Sequence, residues 1–211
     1  RMDYLEDDYG LDTIETGASL GVLMEAGVIP WGDSKACIEM IHEMGKGTPL
    51  GRILGAGTAT VARCYGLERA PVVKGQAMPA YDPRAVKGVG VTYATTPMGA
   101  DHTAGYAVAT NILGLGGKVD PLKPEGQVEL SRNLQIATAA LDSTGYCIFV
   151  AFCILDQHET FQALIDTLSA FTGRKMTGDD VVALGKSVLK QEREFNAAAG
   201  FTRAHDRLPM Y

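Results

Sequence analysis

The sequence predicts a mostly α protein with long Gly/Pro-rich loops. Three observations carry that prediction. Apolar residues recur at helical spacing in stretches bracketed by cap residues. Strand patterns are confined to Val72-Val73 and Cys147 to Phe152. Six of the nine prolines fall between Ala70 and Gly126, which marks that segment as irregular.

The elements follow in order. Asp12 caps a helix expected to run to about Gly27, with Ile14, Ala18, Val22 and Leu23 on one face. Asp33 caps the next, where Cys37, Met40, Ile41 and Met44 share a face and Gly45 and Gly47 end it. Thr48-Pro49 is an N-cap followed by proline at the first helical position, opening a helix to about Tyr65. Asp82-Pro83 repeats that signal before a short turn. Helix returns from Val128 to Leu141, with Leu134, Ala137, Thr138 and Leu141 aligned. Asp142 to Cys147 breaks the pattern. Phe161, Leu164, Ile165, Leu168 and Phe171 form a stripe ending at Gly173. Thr177-x-x-Asp180 is a capping box for a last helix carrying Val181, Leu184 and Val188 to about Gly200. The chain is expected to divide near Pro71.

Composition excludes several classes. With 211 residues, 46% hydrophobic and 21% charged, the chain buries a core, so disorder is excluded. The densest apolar run, Tyr146 to Leu155, has ten residues, and a membrane span needs about twenty. The net charge of −6 opposes nucleic-acid binding. Four cysteines without C-x-x-C spacing build no disulfide framework, and the acidic start carries no secretory signal. A reducing, cytoplasmic setting is expected, with Cys37, Cys64 and Cys153 packing as small apolar residues. Both ends read as cut, which predicts a piece of a longer protein.

Candidate chemistry is sparse. Gly55-Ala-Gly57, with Thr60 where a dinucleotide fingerprint needs glycine, follows no strand and reads as part of a helix. His42 and His158 lie among charged neighbours on helical faces, and His205 lies in a polar tail. His102 differs. It sits in Gly99-Ala-Asp101-His102, where no helical stripe demands it, as either a surface turn or a proton-transfer group. Two segments share one pattern: Asp7-Asp-Tyr-Gly10-Leu11-Asp12 and Asp142-Ser-Thr-Gly145-Tyr146-Cys147. Both read as turns with left-handed glycine. They also read as loops in which a carboxylate accepts paired N–H donors from a heterocycle, and the last residue presents a ligand.

With those two motifs stand Val73-Lys-Gly-Gln-Ala-Met-Pro-Ala-Tyr81-Asp82-Pro83-Arg84 and Gly90-Val-Thr-Tyr93-Ala94-Thr95. In this combination and order the chain resembles the C-terminal part of tungsten-containing aldehyde:ferredoxin oxidoreductases. The resemblance implies the end of a middle helical domain over 1–70 and a C-terminal helical domain over 71–211, truncated at both ends. It implies a tungsten bis-pterin cofactor beside a [4Fe–4S] cluster. Asp7 and Asp142 would each bind one pterin. Leu11 and Asp12 would line the first and Tyr146 the second. Cys147 would be the fourth cluster ligand, the other three and the catalytic glutamate lying upstream. His102 would exchange protons near the metal.

The implied reaction oxidises an aldehyde with water to a carboxylic acid and passes electrons to ferredoxin. The implied partners are ferredoxin, the missing N-terminal part of the chain and a second copy in a homodimer. A related tungsten subunit acting on another substrate, such as an aromatic thioester, and a cofactor-free helical scaffold are the alternatives. Departures from the family's pattern are Ala77, Ala104 and Tyr146, where relatives often carry glutamate, a basic residue and leucine.

Overall fold

The computed structural model describes residues 1–210. The chain is mostly α, as the sequence predicts, and forms two compact units. One comprises residues 1–79 and the chain end from Arg207; the other comprises 80–206. The boundary thus falls later than the expected division near Pro71. The reason is a short antiparallel hairpin, β1 (Val72–Val73) and β2 (Gln76–Ala77), whose Ala77 N–H donates to Glu15 Oε1 at 2.7 Å.

In the first unit, α1 (Met2–Tyr9) ends at Gly10, whose φ of 67° is the left-handed conformation glycine tolerates. Asp12 accepts from Glu15 N at 2.7 Å and so caps α2 (Thr13–Glu25). Asp33 caps α3 (Ser34–Lys46), which ends at left-handed Gly47. Thr48 caps α4 (Pro49–Leu54). The expected helix to Tyr65 is instead broken after Leu54 and resumes as α5 (Thr58–Cys64). Gly57 has φ 92°, which no right-handed helix accommodates. The Glu15 carboxylate meets the restart, accepting from Thr58 N and Thr58 Oγ1 at 2.9 Å each. Leu20, Leu23, Ile41, Leu54 and Val61 form the core beneath. His42, expected on a solvated face, is half-buried with its Nδ1 2.8 Å from the Tyr9 hydroxyl.

In the second unit the expected loop segment contains α6 (Lys87–Thr95), a 3-10 turn (Thr103–Gly105) and a π-turn (Ala109–Leu113). The sequence hides α6 because its glycines and β-branched residues are poor helix formers. Tertiary contacts sustain it: Val89, Thr92 and Tyr93 are fully buried. Thr92 Oγ1 lies 2.7 Å from Ser131 Oγ on α7 (Gln127–Ser143) and donates to the Gly105 carbonyl at 3.1 Å. Gln135 Nε2 donates to Ser131 Oγ at 3.0 Å. This buried polar strip anchors the loop carrying His102 to α7.

Cys147 to Phe152, expected as a strand, is a turn leading into α8 (Val150–Asp156). A short apolar run carries no period able to separate the two outcomes. Helix α9 (His158–Thr172) ends at Gly173 as expected, and Phe171, the last residue of its apolar stripe, is 89% exposed. The capping box at Thr177 is formed and opens α10 (Gly178–Ala198). Cys37 is buried, whereas Cys64 and Cys153 are exposed, against the expectation that they pack as apolar residues. No helix among the described residues is long and apolar enough to cross a membrane.

Helices α7 and α10 pack backbone against backbone at Gly185. A Cβ there would sit 2.0 Å from the Ile136 carbonyl oxygen. Gly185→Val is expected to force the helices apart and destabilise the protein by about 1–3 kcal/mol. Gly17→Ala, in open space on α2, is expected to stabilise by about 0.5–1 kcal/mol. Urea unfolding of both variants reads the two signs.

Candidate functional site

The two D-x-x-G segments adopt the same local geometry. Each begins in the last turn of a helix, α1 or α7. In each, the glycine N–H donates to the aspartate carbonyl three residues earlier, Gly10 to Asp7 and Gly145 to Asp142, both at 3.1 Å. In each the glycine is left-handed, with φ of 67° and 80°. The main chain of the aspartate is therefore used by the turn and its side chain is not. Asp7 and Asp142 are exposed, and neither carboxylate accepts a hydrogen bond from the described residues. Both are available to paired N–H donors from outside.

The last positions of the two segments differ. Asp12 spends one carboxylate oxygen on the cap of α2. Cys147 presents an exposed thiol, with its carbonyl accepting from Val150 N at 3.0 Å. Tyr146 and Leu11 are half-buried. Leu11 and Asp12 line a cavity of about 330 Å³ together with Glu15, Gly55, Gly57 and Gly75. Gly55-Ala-Gly57 thus belongs to the rim of this site rather than to a helix, which its glycines alone did not reveal. Beneath the loop, Glu6 is buried, and its carboxyl is pushed above the usual range by burial and then by Asp3, Asp7 and Asp12.

His102 lies in the second unit in an aromatic frame. Its ring is 5.2 Å from that of Tyr81 and 5.8 Å from that of Tyr106. The two tyrosine hydroxyls are 2.9 Å apart. Tyr93, fully buried, donates to the Tyr81 carbonyl at 3.2 Å and fixes that tyrosine's backbone. Burial raises the Tyr106 hydroxyl, helped by Tyr81, to about 12, so both it and the more deeply buried Tyr93 stay protonated at neutral pH.

Asp101 does not orient the imidazole. Its Oδ1 is 3.9 Å from His102 Nδ1, too far for a hydrogen bond. That oxygen instead accepts from Thr103 N and Thr103 Oγ1 at 2.7 Å each, which braces the loop. Burial holds His102 below the usual imidazole value of 6.5, with the Asp101 charge opposing. The neutral form of His102 therefore predominates at pH 7.

Asp142 belongs to the same electrostatic neighbourhood. Its carboxyl is raised by partial burial and then by the Asp101 charge. Glu192 is raised by burial and then by Asp142. Such a run of carboxylates favours donors and opposes further anions. Asp142, Asp101 and His102 are thus electrostatically linked within one unit. Asp7, Leu11 and Asp12 lie on the other. Sequence reasoning gave no role to Tyr81, Tyr106, Glu15 or Glu192. Tyr81 and Tyr106 lie in the glycine-rich segment, and no signal in the sequence marks them. Among the described residues no group of three or more His, Cys, Asp or Glu side chains is placed to hold a metal ion.

Residues 1–211 match the family model described as aldehyde ferredoxin oxidoreductase, domains 2 and 3. The chain is 32% identical to a tungsten-containing aldehyde ferredoxin oxidoreductase of Pyrococcus furiosus, over 98% of this chain and 36% of the relative. It is 33% identical to the protein of that name from Pyrococcus horikoshii, over 95% of this chain and 35% of the relative. Half of the chain, 51%, is 30% identical to an aliphatic sulfonate oxidoreductase, WOR-like subunit, of Pyrococcus furiosus. The chain thus spans about a third of the length of the aldehyde ferredoxin oxidoreductases it matches.

Proposed function

Since the chain belongs to the aldehyde ferredoxin oxidoreductase family, in the part described as domains 2 and 3, we propose that it contributes cofactor-binding loops and a proton acceptor to a tungstopterin oxidoreductase. The whole protein would convert an aldehyde and water to a carboxylic acid, two protons and two electrons. The electrons would go to ferredoxin through a [4Fe–4S] cluster. The observation that carries this reading is the shared geometry of the two turns, which leaves the Asp7 and Asp142 carboxylates without internal donors.

The residues fit the cofactors in kind. Carboxylates aimed outward from glycine turns accept charge-assisted hydrogen bonds from amino and ring N–H groups, such as those of a pterin. Asp7 and Asp142 would hold one pterin each, with Leu11 and Asp12 lining the first and Tyr146 the second. The exposed Cys147 thiol fits a cluster ligand, thiolate being the usual donor to iron–sulfur centres. The remaining ligands would come from outside residues 1–211. When bound, the tungsten centre and the cluster supply the redox chemistry.

The chain's own residues bind, orient and move protons. The turns set the direction of both carboxylates. Asp142 and Cys147 are five residues apart on one loop, which would keep pterin and cluster close. Tyr81 and Tyr106 hold the His102 ring edgewise or tilted and limit its motion. Neutral His102 would take a proton from the water or substrate being activated.

The full-length protein, purified under anaerobic conditions, tests this reading. Tungsten, pterin and iron are expected together, with ferredoxin reduced when an aldehyde is added. Metal-free protein after growth with tungstate, or loaded protein that oxidises no aldehyde, overturns it.

A further inference from the structure

Within the second unit, helices α7, α8, α9 and α10 surround an open cavity of about 580 Å³. That is the size of a small-molecule site, and far larger than the gaps a packed interior leaves. Leu134, Ala137, Ala151, Phe152, Leu155 and Phe161 supply much of its apolar wall. No carboxylate lines it. Ala137, aligned with buried Leu134 and Leu141 on the helical stripe of α7, is exposed because it faces this space.

The cavity adjoins the histidine site through one residue. Tyr106 lines it and also meets the His102 ring at 5.8 Å. On the other side Tyr106 packs edgewise on Phe152, a further wall residue, at 5.7 Å. A series of rings thus runs from Tyr81 through His102 and Tyr106 to Phe152. We propose that this cavity receives the hydrocarbon tail of a long, unbranched aliphatic aldehyde whose carbonyl lies at His102. The inference rests on the aldehyde oxidation proposed above and adds the substrate class. Its physical content is simple: Tyr106 stands between His102 and a largely apolar volume, whose lining also includes Arg132 and Lys186, and a chain extending from a carbonyl held beside His102 would enter that volume past Tyr106. Each methylene buried there raises affinity by up to about fourfold.

The test uses the full-length holoenzyme and two readouts. Turnover is measured for unbranched aldehydes from acetaldehyde to decanal. Binding of decan-1-ol, an uncharged alcohol of the same tail length, is measured by calorimetry without turnover. Ala137→Trp fills the cavity from an exposed helix position, and Ala137→Leu fills it partly. In the wild type kcat/KM is expected to rise with chain length, mainly through KM. Ala137→Trp should flatten that rise and weaken decan-1-ol at least tenfold, with Ala137→Leu intermediate. A flat series in wild type and variants, with no decan-1-ol binding, overturns the cavity's role and leaves aldehyde oxidation standing. That is also the outcome if chain outside residues 1–211 fills the space. No oxidation of any aldehyde, with decan-1-ol binding that Ala137→Trp abolishes, overturns the function proposed above and keeps the cavity as a fatty-chain site.

Discussion

His102→Ala is expected to lower turnover of the holoenzyme by about 10²–10⁴-fold, the usual contribution of a general acid–base group, with tungsten and iron content unchanged. The geometry favours a proton acceptor over a brace. Loop bracing falls to Asp101 and Thr103, whose hydrogen bonds do not involve the imidazole. His102→Asn keeps polarity and removes titration. If His102 accepts a proton, asparagine is nearly as poor as alanine. If it braces the loop, asparagine recovers much of the rate. The pH dependence has a definite sign. Burial lowers the folded-state pKa below 6.5, so the active neutral form is lost only as pH falls beneath that value. The wild-type rate should fall on that acid side, and the limb should vanish in both variants. The linked stability has the same direction, being present above 6.5 and lost as pH falls through the depressed value. Loss of metal in both variants would make His102 structural, and full turnover in both would remove it from the site.

Helix caps made several elements of both units legible in the sequence. Asp12, Asp33, Thr48 and Thr177 each start a helix where the side chain was expected to cap it. Caps act locally, so a single chain displays them. The break at Gly55–Gly57 was hidden because it depends on Glu15, more than forty residues earlier in the chain, supplying donors' partners to Thr58. Helix α6 was hidden for a similar reason. Its stability comes from Ser131 and Gln135 on α7, not from its own propensity. The candidate site divides in the same way. The paired turns were readable as a pattern because glycine conformation is a local property. The aromatic frame of His102 was not, since Tyr81 and Tyr106 converge only through the tertiary fold. Ala137 aligns with Leu134 and Leu141 on one stripe of α7, yet it faces an open cavity. Periodicity reports which face is apolar and leaves open what covers it.

Asp142→Asn is expected to move two observables in opposite directions. In the chain without cofactor, the Asp142 carboxyl is raised by partial burial and by Asp101, and in turn raises Glu192. A raised carboxyl favours its neutral form, so its contribution to stability is full at low pH and lost as pH rises through the folded value. A neutral amide removes that cost. The melting temperature of the cofactor-free variant at pH 7 should therefore match or slightly exceed that of the wild type. The turn survives, because Gly145 bonds to the Asp142 carbonyl and not to its side chain. With cofactor present the sign reverses. The carboxylate would accept two charge-assisted N–H bonds from the proposed pterin, whereas the amide would offer one neutral acceptor and its own donors would oppose the other N–H. The loss amounts to about 3 kcal/mol, or on the order of 10²-fold in pterin retention. Pterin and tungsten released during dialysis are the direct readout, before any assay of turnover. A variant that loses both stability and cofactor would mark Asp142 as part of the fold. A variant that keeps its pterin and tungsten at the wild-type level would remove Asp142 from the cofactor site, and with it the argument from the paired turns.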